Sequence, residues 1–213
     1  MQFPHNQFIS AISDIINQRF EQQSMLPQLI DAPCGNGYTT IALAQKYPNT
    51  HFVGVDIANH FLKTNLSNTS FLSQDIHQYI DSQDNIAFIC VINSLYLLPN
   101  PTELLRKIYH KLEHNGTLVL IVPNIESPNF KTFQSNNPDV NTFLPTQSEL
   151  ESCFLDIGFQ VKSTKSLVFT PFYGRWDTKI LYFMRHKYLN WLEQRNAQKQ
   201  GRVCAYYLYE LVK

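Results

Sequence analysis

The heptapeptide Asp31-Ala32-Pro33-Cys34-Gly35-Asn36-Gly37 decides the fold of this chain of 213 residues. It follows the apolar pair Leu29-Ile30 and leads into residues 38–44, whose composition is typical of a helix. The sequence therefore predicts a strand, a tight turn and a helix start in direct succession. Because Gly35 and Gly37 have no Cβ, the backbone of this turn can approach a ligand closely.

A second acidic residue, Asp56, ends the next apolar run, residues 51–55. It lies about 20 residues beyond the turn, the spacing at which α/β nucleotide sites place a carboxylate on ribose hydroxyls. Dinucleotide sites share this spacing but need a third glycine, and Thr40 stands in its place. The carboxylate of Asp31 would also repel a phosphate. S-adenosylmethionine has no phosphate and carries a cationic amino group, so it is predicted in preference to NAD.

Taken together, these residues resemble the class I S-adenosylmethionine-dependent methyltransferases that act on small molecules. The stretch from Asp31 to Gly37 is similar to their acidic, glycine-rich loop, and Asp56 is similar to their ribose-binding acid. Three further stretches resemble their third strand, their fourth strand with the loop behind the methyl group, and their fifth strand: residues 71–76, 86–101 and 116–121. The resemblance covers roughly residues 25–170, with a final strand near 202–212.

The predicted elements alternate along the chain. Strands are expected near residues 28–31, 51–56, 70–75, 86–92 and 117–122, with helices near 38–47, 58–66 and 101–113 between them. This alternation predicts a doubly wound α/β sheet that is mostly parallel. The resemblance implies a Rossmann-like methyltransferase fold with seven strands, of which the last is antiparallel.

The ends of the chain are expected to complete one methyltransferase domain over residues 1–213. An amphipathic helix over 7–20 forms an N-terminal cap, residues 1–24. Residues 122–146 read as a loop and 147–157 as a helix. Two antiparallel strands then follow, over 159–170 and 201–213.

Residues 171–200 separate the last two predicted strands. A hairpin needs only about two to five linking residues, so this stretch is expected to be an insertion, and its apolar spacing predicts that it is helical. It holds both tryptophans and an apolar stripe at helical spacing. A lid over the acceptor pocket explains these features, and so does a helix packed on the sheet edge or a dimer contact.

The resemblance assigns roles to individual residues. The predicted cofactor-binding residues are Asp31, Ala32, Pro33, Gly35, Asn36, Gly37, Asp56, Ile57, Asp75, Ile76 and Asn93. Asp56 and Asp75 could instead cap the helices that follow them. Asn93 and Tyr96 are the predicted catalytic residues, because they follow the fourth strand where it faces the methyl group. The predicted substrate-binding residues are His5, Tyr173, Trp176 and Tyr182.

Composition narrows the classes of partner. Seventeen basic residues balance seventeen acidic ones, so the net charge offers no attraction for nucleic acid. No apolar run reaches the roughly 20 residues that span a bilayer, and the N-terminus lacks the features of a signal peptide. The four cysteines are widely spaced, and the histidines fit no metal-ligand pattern. The expectation is a cytoplasmic monomer or homodimer that binds a small molecule and no metal.

The expected activity is methyl transfer to the oxygen or nitrogen of a small molecule, either aromatic or partly apolar. The sequence departs from the family pattern at two positions: Pro33 replaces the first loop glycine, and Ala87 replaces the acidic residue at the start of the fourth strand. These departures favour, as an alternative, a second class of enzyme with the same fold. Such an enzyme would use the bound cofactor for a cyclisation or rearrangement without methylation. A non-catalytic binding protein, with residues 171–200 as its interface, is the third hypothesis.

Overall fold

A computed structural model describes residues 5–22, 28–137, 145–169, 186–198 and 203–213. Its elements in chain order are α1 His5–Gln22, β1 Gln28–Asp31, α2 Tyr38–Lys46, β2 His51–Asp56, β3 Thr69–Ser73, α3 Ile76–Asp81, β4 Ile86–Ile92, a short 3₁₀ turn Leu95–Leu97, α4 Pro101–Lys111, β5 Leu112–Pro123, α5 Pro128–Asn136, α6 Gln147–Ile157, β6 Gln160–Leu167, α7 His186–Ala197 and β7 Tyr206–Val212.

The strands form one sheet in the order β3-β2-β1-β4-β5-β7-β6. Strands β1 to β5 pair in parallel, and β7 runs antiparallel between β5 and β6. The predicted seven-stranded sheet with an antiparallel last strand is therefore confirmed. The strand order reverses between β1 and β4, and open α/β sheets bind ligands beyond the carboxyl ends of the strands at such a point.

Helices cover both faces of the sheet. The helices α3, α4 and α6 bury apolar side chains on one face, and α1 and α2 do so on the other. Central strands are consequently apolar on both sides: in β4, Ile89 and Val91 belong to the first core, whereas Phe88 and Cys90 belong to the second. Such continuous apolar runs are typical of parallel sheets covered on both faces.

The predicted N-terminal helix is present and extends further than expected, from His5 to Gln22. Phe8, Ile12 and Ile16 are buried against the second face of the sheet. Their helical spacing explains why the amphipathic pattern identified this helix. Among the residues that the structure describes, no helix combines the length and apolar composition needed to cross a membrane.

The predicted helix over residues 58–66 is wrong, because this stretch has no regular structure. The amide of Leu62 donates to the carbonyl of Asn36 (2.9 Å), and Asp56 accepts the amide of Ala58 (3.0 Å). The ring of Phe61 stacks on Phe71, with ring centroids 5.0 Å apart. Contacts with the loop before α2 and with β3 thus outweigh local helix propensity.

The helix α5 was not predicted, and α3 was foreseen only as a helix that Asp75 could cap. The carboxylate of Asp75 caps α3, and the hydroxyl of Ser127 caps α5 by accepting the amide of Phe130 (3.1 Å). The interpretation of residues 122–146 as a loop is therefore wrong over Pro128–Asn136, where an N-cap serine followed by proline is a recognised start signal.

Of the proposed insertion over residues 171–200, residues 186–197 are helical. Tyr173, Trp176 and Tyr182 lie outside the described residues.

Candidate cofactor and acceptor site

The glycine-containing turn after β1 is fixed by its own backbone amides. The amide of Ala32 donates to Cys90 in β4 (3.0 Å), and that of Cys34 donates to Val55 in β2 (2.9 Å). Gly37 closes the turn by donating to the carbonyl of Cys34 (3.0 Å). These amides are already used, and the carbonyl oxygens of Cys34, Asn36 and Gly37 each accept one amide as well. What the turn can offer to a ligand is chiefly the remaining acceptor capacity of its carbonyl oxygens. Carbonyl oxygens suit a ligand that donates hydrogen bonds, as an ammonium group does.

The two glycines of the turn serve different purposes. Gly37 has φ +80°, and a Cβ there would overlap the ring of Phe71. Gly35 has φ +57°, but a Cβ there would meet nothing within 4 Å. Gly37 therefore makes room for the ring of Phe71, and only Gly35, which lines the cavity, has open space where a Cβ would lie. The sequence pattern alone cannot separate these two uses.

A cavity of about 610 Å³ lies beyond the carboxyl ends of β1, β2 and β4, at the point where the strand order reverses. Ten of the residues predicted from the sequence line it: His5, Asp31, Pro33, Gly35, Asn36, Asp56, Ile57, Asp75, Ile76 and Asn93. The predicted residues Ala32, Gly37 and Tyr96 are not among its lining residues. Nine lining residues were not singled out as site residues: Cys34, Tyr38, Thr39, Gln74, Ile92, Ser94, Leu97, Leu98 and Pro99.

The carboxylate of Asp31 lies at the bottom of this cavity and is only 2% exposed. The hydroxyl of Thr40 donates to it across 2.6 Å. Burial raises the pKa of Asp31 to about 7; the Thr40 hydrogen bond opposes this shift and the charge of Asp56 adds to it. A buried carboxylate with so high a pKa lacks a cationic partner, and a bound ammonium group would supply one.

Asp56 and Asp75 both have structural roles and keep free acceptor capacity. One oxygen of Asp56 accepts the amide of Gly35 (2.8 Å) and the other that of Ala58 (3.0 Å). One oxygen of Asp75 accepts the amide of Gln78 (3.1 Å) and so caps α3. A carboxylate has about four acceptor positions, so each can bind further donors from a ligand. Asp75 therefore does cap the helix that follows it, and this role leaves acceptor positions for a ligand.

Two polar atoms at the wall of the cavity are buried without a hydrogen-bond partner among the described residues. They are the hydroxyl of Ser94 and the Nδ1 atom of His5. The ring of His5 packs edge-on against Tyr38, with centroids 5.5 Å apart, and burial lowers the pKa of His5. A neutral imidazole and a hydroxyl therefore belong to residues that line the same cavity as Asn93. Since buried polar groups are normally satisfied, both are candidates for ligand contact.

Tyr96 is not among the described residues that line the cavity. Its ring packs edge-on against Phe130 and Phe133 of α5, with centroids 6.0 Å away in each case. Burial raises the pKa of Tyr96, so the phenol stays protonated. Asn93, by contrast, lines the cavity with φ +50° and donates its amide to Ile121 in β5 (2.7 Å). Because α5 was not predicted, the aromatic neighbours of Tyr96 could not be foreseen.

The chemical groups that line the cavity match those of S-adenosylmethionine. The buried carboxylate of Asp31 suits a cationic amino group, and Asp56 and Asp75 keep acceptor positions that suit ribose hydroxyls and an adenine amino group. Ile57 is 77% exposed at the rim, where a flat base would cover it. The described ranges contain no group of three or more His, Cys, Asp or Glu side chains that could hold a metal ion.

Comparison with known proteins gives an independent assignment. The family model described as "Methyltransferase domain" matches residues 4–164. The malonyl-[acyl-carrier protein] O-methyltransferase of Bacillus cereus is 23% identical over 114 residues, and the trans-aconitate 2-methyltransferase of Yersinia pestis is 29% identical over 113. Each match covers 51% of this chain, and the chain spans only 42–43% of the length of these relatives.

Solved structures share the fold over nearly the whole chain. The plantazolicin methyltransferase BpumL in complex with SAH has a TM-score of 0.68 at 18% identity, covering 99% of this chain and 84% of the other. The magnesium protoporphyrin IX methyltransferase ChlM of Synechocystis, with bound SAH, has a TM-score of 0.65 at 12% identity, covering 98% and 83%. The family model covers most of the chain, and the sheet order and loop agree with it. The chain therefore belongs to the class I S-adenosylmethionine-dependent methyltransferase family.

Proposed function

We propose that this protein binds S-adenosylmethionine in the cavity of about 610 Å³ and transfers its methyl group to a small molecule, through an oxygen or nitrogen atom. The observation that carries the proposal is the placement of three carboxylates, from Asp31, Asp56 and Asp75, around one cavity at the switch point of the sheet. Each carboxylate matches a different donor group of this one cofactor.

Different residues of the chain bind different parts of the cofactor. Asp31, inaccessible to bulk water, pairs with the amino group. Asp56 accepts the ribose hydroxyls while its hydrogen bond to Gly35 keeps the turn closed. Asp75 accepts from the adenine amino group, and Ile57 and Ile76 provide apolar contacts for the ring.

The bound cofactor supplies a methyl group that is already activated by its positive sulfur. The protein must therefore chiefly position the acceptor and exclude water. Asn93 and Ser94 lie at the end of β4, where they can orient the acceptor by hydrogen bonds. His5 has a lowered pKa, so it is neutral near pH 7 and can accept a proton from a hydroxyl acceptor. Tyr96, whose ring packs edge-on against Phe130 and Phe133, remains a proposed catalytic residue beside Asn93.

The acceptor we propose is partly apolar or aromatic. The loop after Ser94 lines the cavity with Leu97, Leu98 and Pro99, and Leu97 remains 50% exposed. No Lys or Arg is among the described lining residues, whereas three Asp are. This charge pattern favours a neutral or cationic acceptor over a carboxylate. Trp176, Tyr173 and Tyr182 remain proposed acceptor contacts.

Mass spectrometry of the purified protein for S-adenosylmethionine or S-adenosylhomocysteine tests the first part. Calorimetric titration of the folded protein with both compounds then gives the affinity. A screen of neutral, cationic and anionic small acceptors with isotopically labelled methyl donor tests the second part. Absence of cofactor binding in a folded protein contradicts the proposal. Binding and turnover that leave the donor intact would instead support an enzyme of the non-methylating class.

A further inference from the structure

A second cavity, of about 390 Å³, lies beside the carboxyl end of β5. Its walls come from the residues after β5, from the first turn of α6 and from β7. Two carboxylates, Glu126 and Glu151, and two phenols, Tyr207 and Tyr209, line it, and no Lys, Arg or His is among its described lining residues. None of these four side chains lines the cofactor cavity. The proposed function therefore leaves this cluster unexplained.

Tyr209 lines this cavity, and its hydroxyl is buried without a hydrogen bond. Tyr209 is 0% exposed, and its ring packs edge-on against Phe154, with centroids 5.1 Å apart. Glu151 is near enough for its charge to add to the effect of burial, which raises the pKa of Tyr209 well above its usual value. Glu151 also raises the pKa of Tyr209 through a weak hydrogen-bonding contact, but no hydrogen bond of acceptable length and angle satisfies the phenol. Fully buried hydroxyls are normally hydrogen-bonded, so the Tyr209 hydroxyl is a candidate for contact with a ligand.

Tyr207 forms the adjacent wall and is held in place. The side chain of Asn124 donates to its hydroxyl (3.2 Å) and to the carbonyl of Cys204 (3.0 Å). Burial, and then the neighbouring groups Cys204, Glu126 and Glu151, raise the pKa of Tyr207 to about 12. The rings of Tyr207 and Tyr209 are 6.4 Å apart at 48°. Both phenols thus stay neutral, and both experience the negative charge of the carboxylates.

We infer that this second cavity binds an organic cation, namely the alkylguanidinium or alkylammonium group of a small molecule. Two carboxylates provide the opposite charge, and a guanidinium can share its fork of donors between carboxylate and phenol oxygens. Aromatic faces add cation–π attraction for a group within about 6 Å of the ring centroid. The unsatisfied hydroxyl of Tyr209 gains an interacting group, which an apolar ligand would not give it.

Calorimetric titration with N-butylguanidinium tests this inference, with N-butylurea as the neutral compound of the same shape. The titrations are run with and without S-adenosylhomocysteine, because the carboxylates of the cofactor cavity could also attract a cation. We expect saturable binding of the cation in both conditions. We expect affinity for the neutral compound to be at least about tenfold weaker, since hydrogen bonds to charged groups are the stronger ones.

Three variants locate the binding. We expect Glu151→Gln to weaken N-butylguanidinium about tenfold and Tyr209→Phe to weaken it several-fold. Asp156→Asn is the matched control, because it removes an exposed carboxylate of the same helix that does not line the cavity. Thermal unfolding checks that each variant is folded. Equal binding of N-butylurea, no saturable binding by the wild type, or equal losses in Glu151→Gln and Asp156→Asn would overturn the inference.

Discussion

The carboxylate of Asp56, at the end of β2, accepts the amide of Gly35 across 2.8 Å. The two residues are 21 positions apart, so this bond ties the turn after β1 to the neighbouring strand. Asp56 also lines the cavity that Gly35 opens. One side chain therefore holds the shape of the turn and presents acceptor positions to a ligand. Removing it affects both the binding groups and the order of the turn.

The first prediction concerns the variant Asp56→Ala. We expect affinity for S-adenosylmethionine to fall by about tenfold to ten-thousandfold, because one or two charged hydrogen bonds contribute roughly 1.5–3 kcal/mol each. Amide hydrogen exchange at Gly35 should accelerate in the cofactor-free protein, since its acceptor is gone. Calorimetry and exchange measured by NMR check the two effects separately.

Asp84→Ala is the control for this prediction, because its carboxylate pairs with Lys111 on the surface, away from the cavity. It should leave cofactor affinity unchanged. If folded Asp56→Ala binds the cofactor as tightly as the wild type does, the site has been assigned to the wrong residues. Faster exchange with unchanged affinity would limit Asp56 to holding the turn.

The second prediction is a pH-dependent stability that originates at Asp31. The pKa of Asp31 is about 7 in the folded protein and 3.8 without the fold's environment. Between these values the folded state keeps a proton that the unfolded chain releases, so stability falls as pH rises from about 4 to about 7. Asp31→Asn cannot ionise and keeps an oxygen for the hydroxyl of Thr40. We expect it to exceed the wild type in stability by about 1–4 kcal/mol above pH 7.

Urea unfolding of wild type and Asp31→Asn over a series of pH values measures this difference. It should shrink towards zero at about pH 4, where the wild-type carboxyl is protonated in the folded state. A difference that stays constant with pH would show that Asp31 is not the titrating group. The same variant should lose cofactor affinity, because the neutral amide no longer attracts the ammonium group.

The sequence was sufficient to predict the strand, turn and helix around Gly35 and Gly37, because glycines and flanking apolar runs are local signals. The position of Asp56 followed from a fixed spacing. The stretch after Asp56 was not predictable in this way. Its structure depends on the bond from Leu62 to Asn36 and on the stacking of Phe61, which are contacts between distant residues.

The same limit applies to parts of the site. Thr40 was considered only as a missing glycine, yet its hydroxyl is the partner of Asp31. Tyr96 was predicted to be catalytic because it follows the fourth strand in the sequence. Its ring packs against Phe130 and Phe133, on a helix whose start signal, Ser127 followed by Pro128, was missed. Side-chain direction is set by such packing partners, and a single sequence does not identify them.

The third prediction separates the two glycines of the turn. Gly37→Ala must adopt φ near +80° and also displace the ring of Phe71, so we expect a loss of about 2–4 kcal/mol in stability. Gly35→Ala has the backbone strain without the overlap, so about 1–2 kcal/mol is expected. Its new methyl group faces the cavity and should reduce cofactor affinity. Urea unfolding and calorimetry provide both numbers, and equal stability losses would contradict this division of roles.

The last prediction concerns Ser94, whose hydroxyl is buried at the cavity wall without a hydrogen-bond partner. Ser94→Ala removes no hydrogen bond of the protein, so stability should stay within about 0.5 kcal/mol or rise. If the hydroxyl binds the acceptor, kcat/KM for that acceptor should fall about threefold to tenfold with cofactor affinity unchanged. Thr117→Val is the matched control, because the Thr117 hydroxyl is also buried and unpaired but lies outside the cavity. This control should preserve kcat/KM. Equal kinetics for Ser94→Ala and wild type would exclude Ser94 from acceptor binding, and a large loss of stability would mean that its hydroxyl has a structural role.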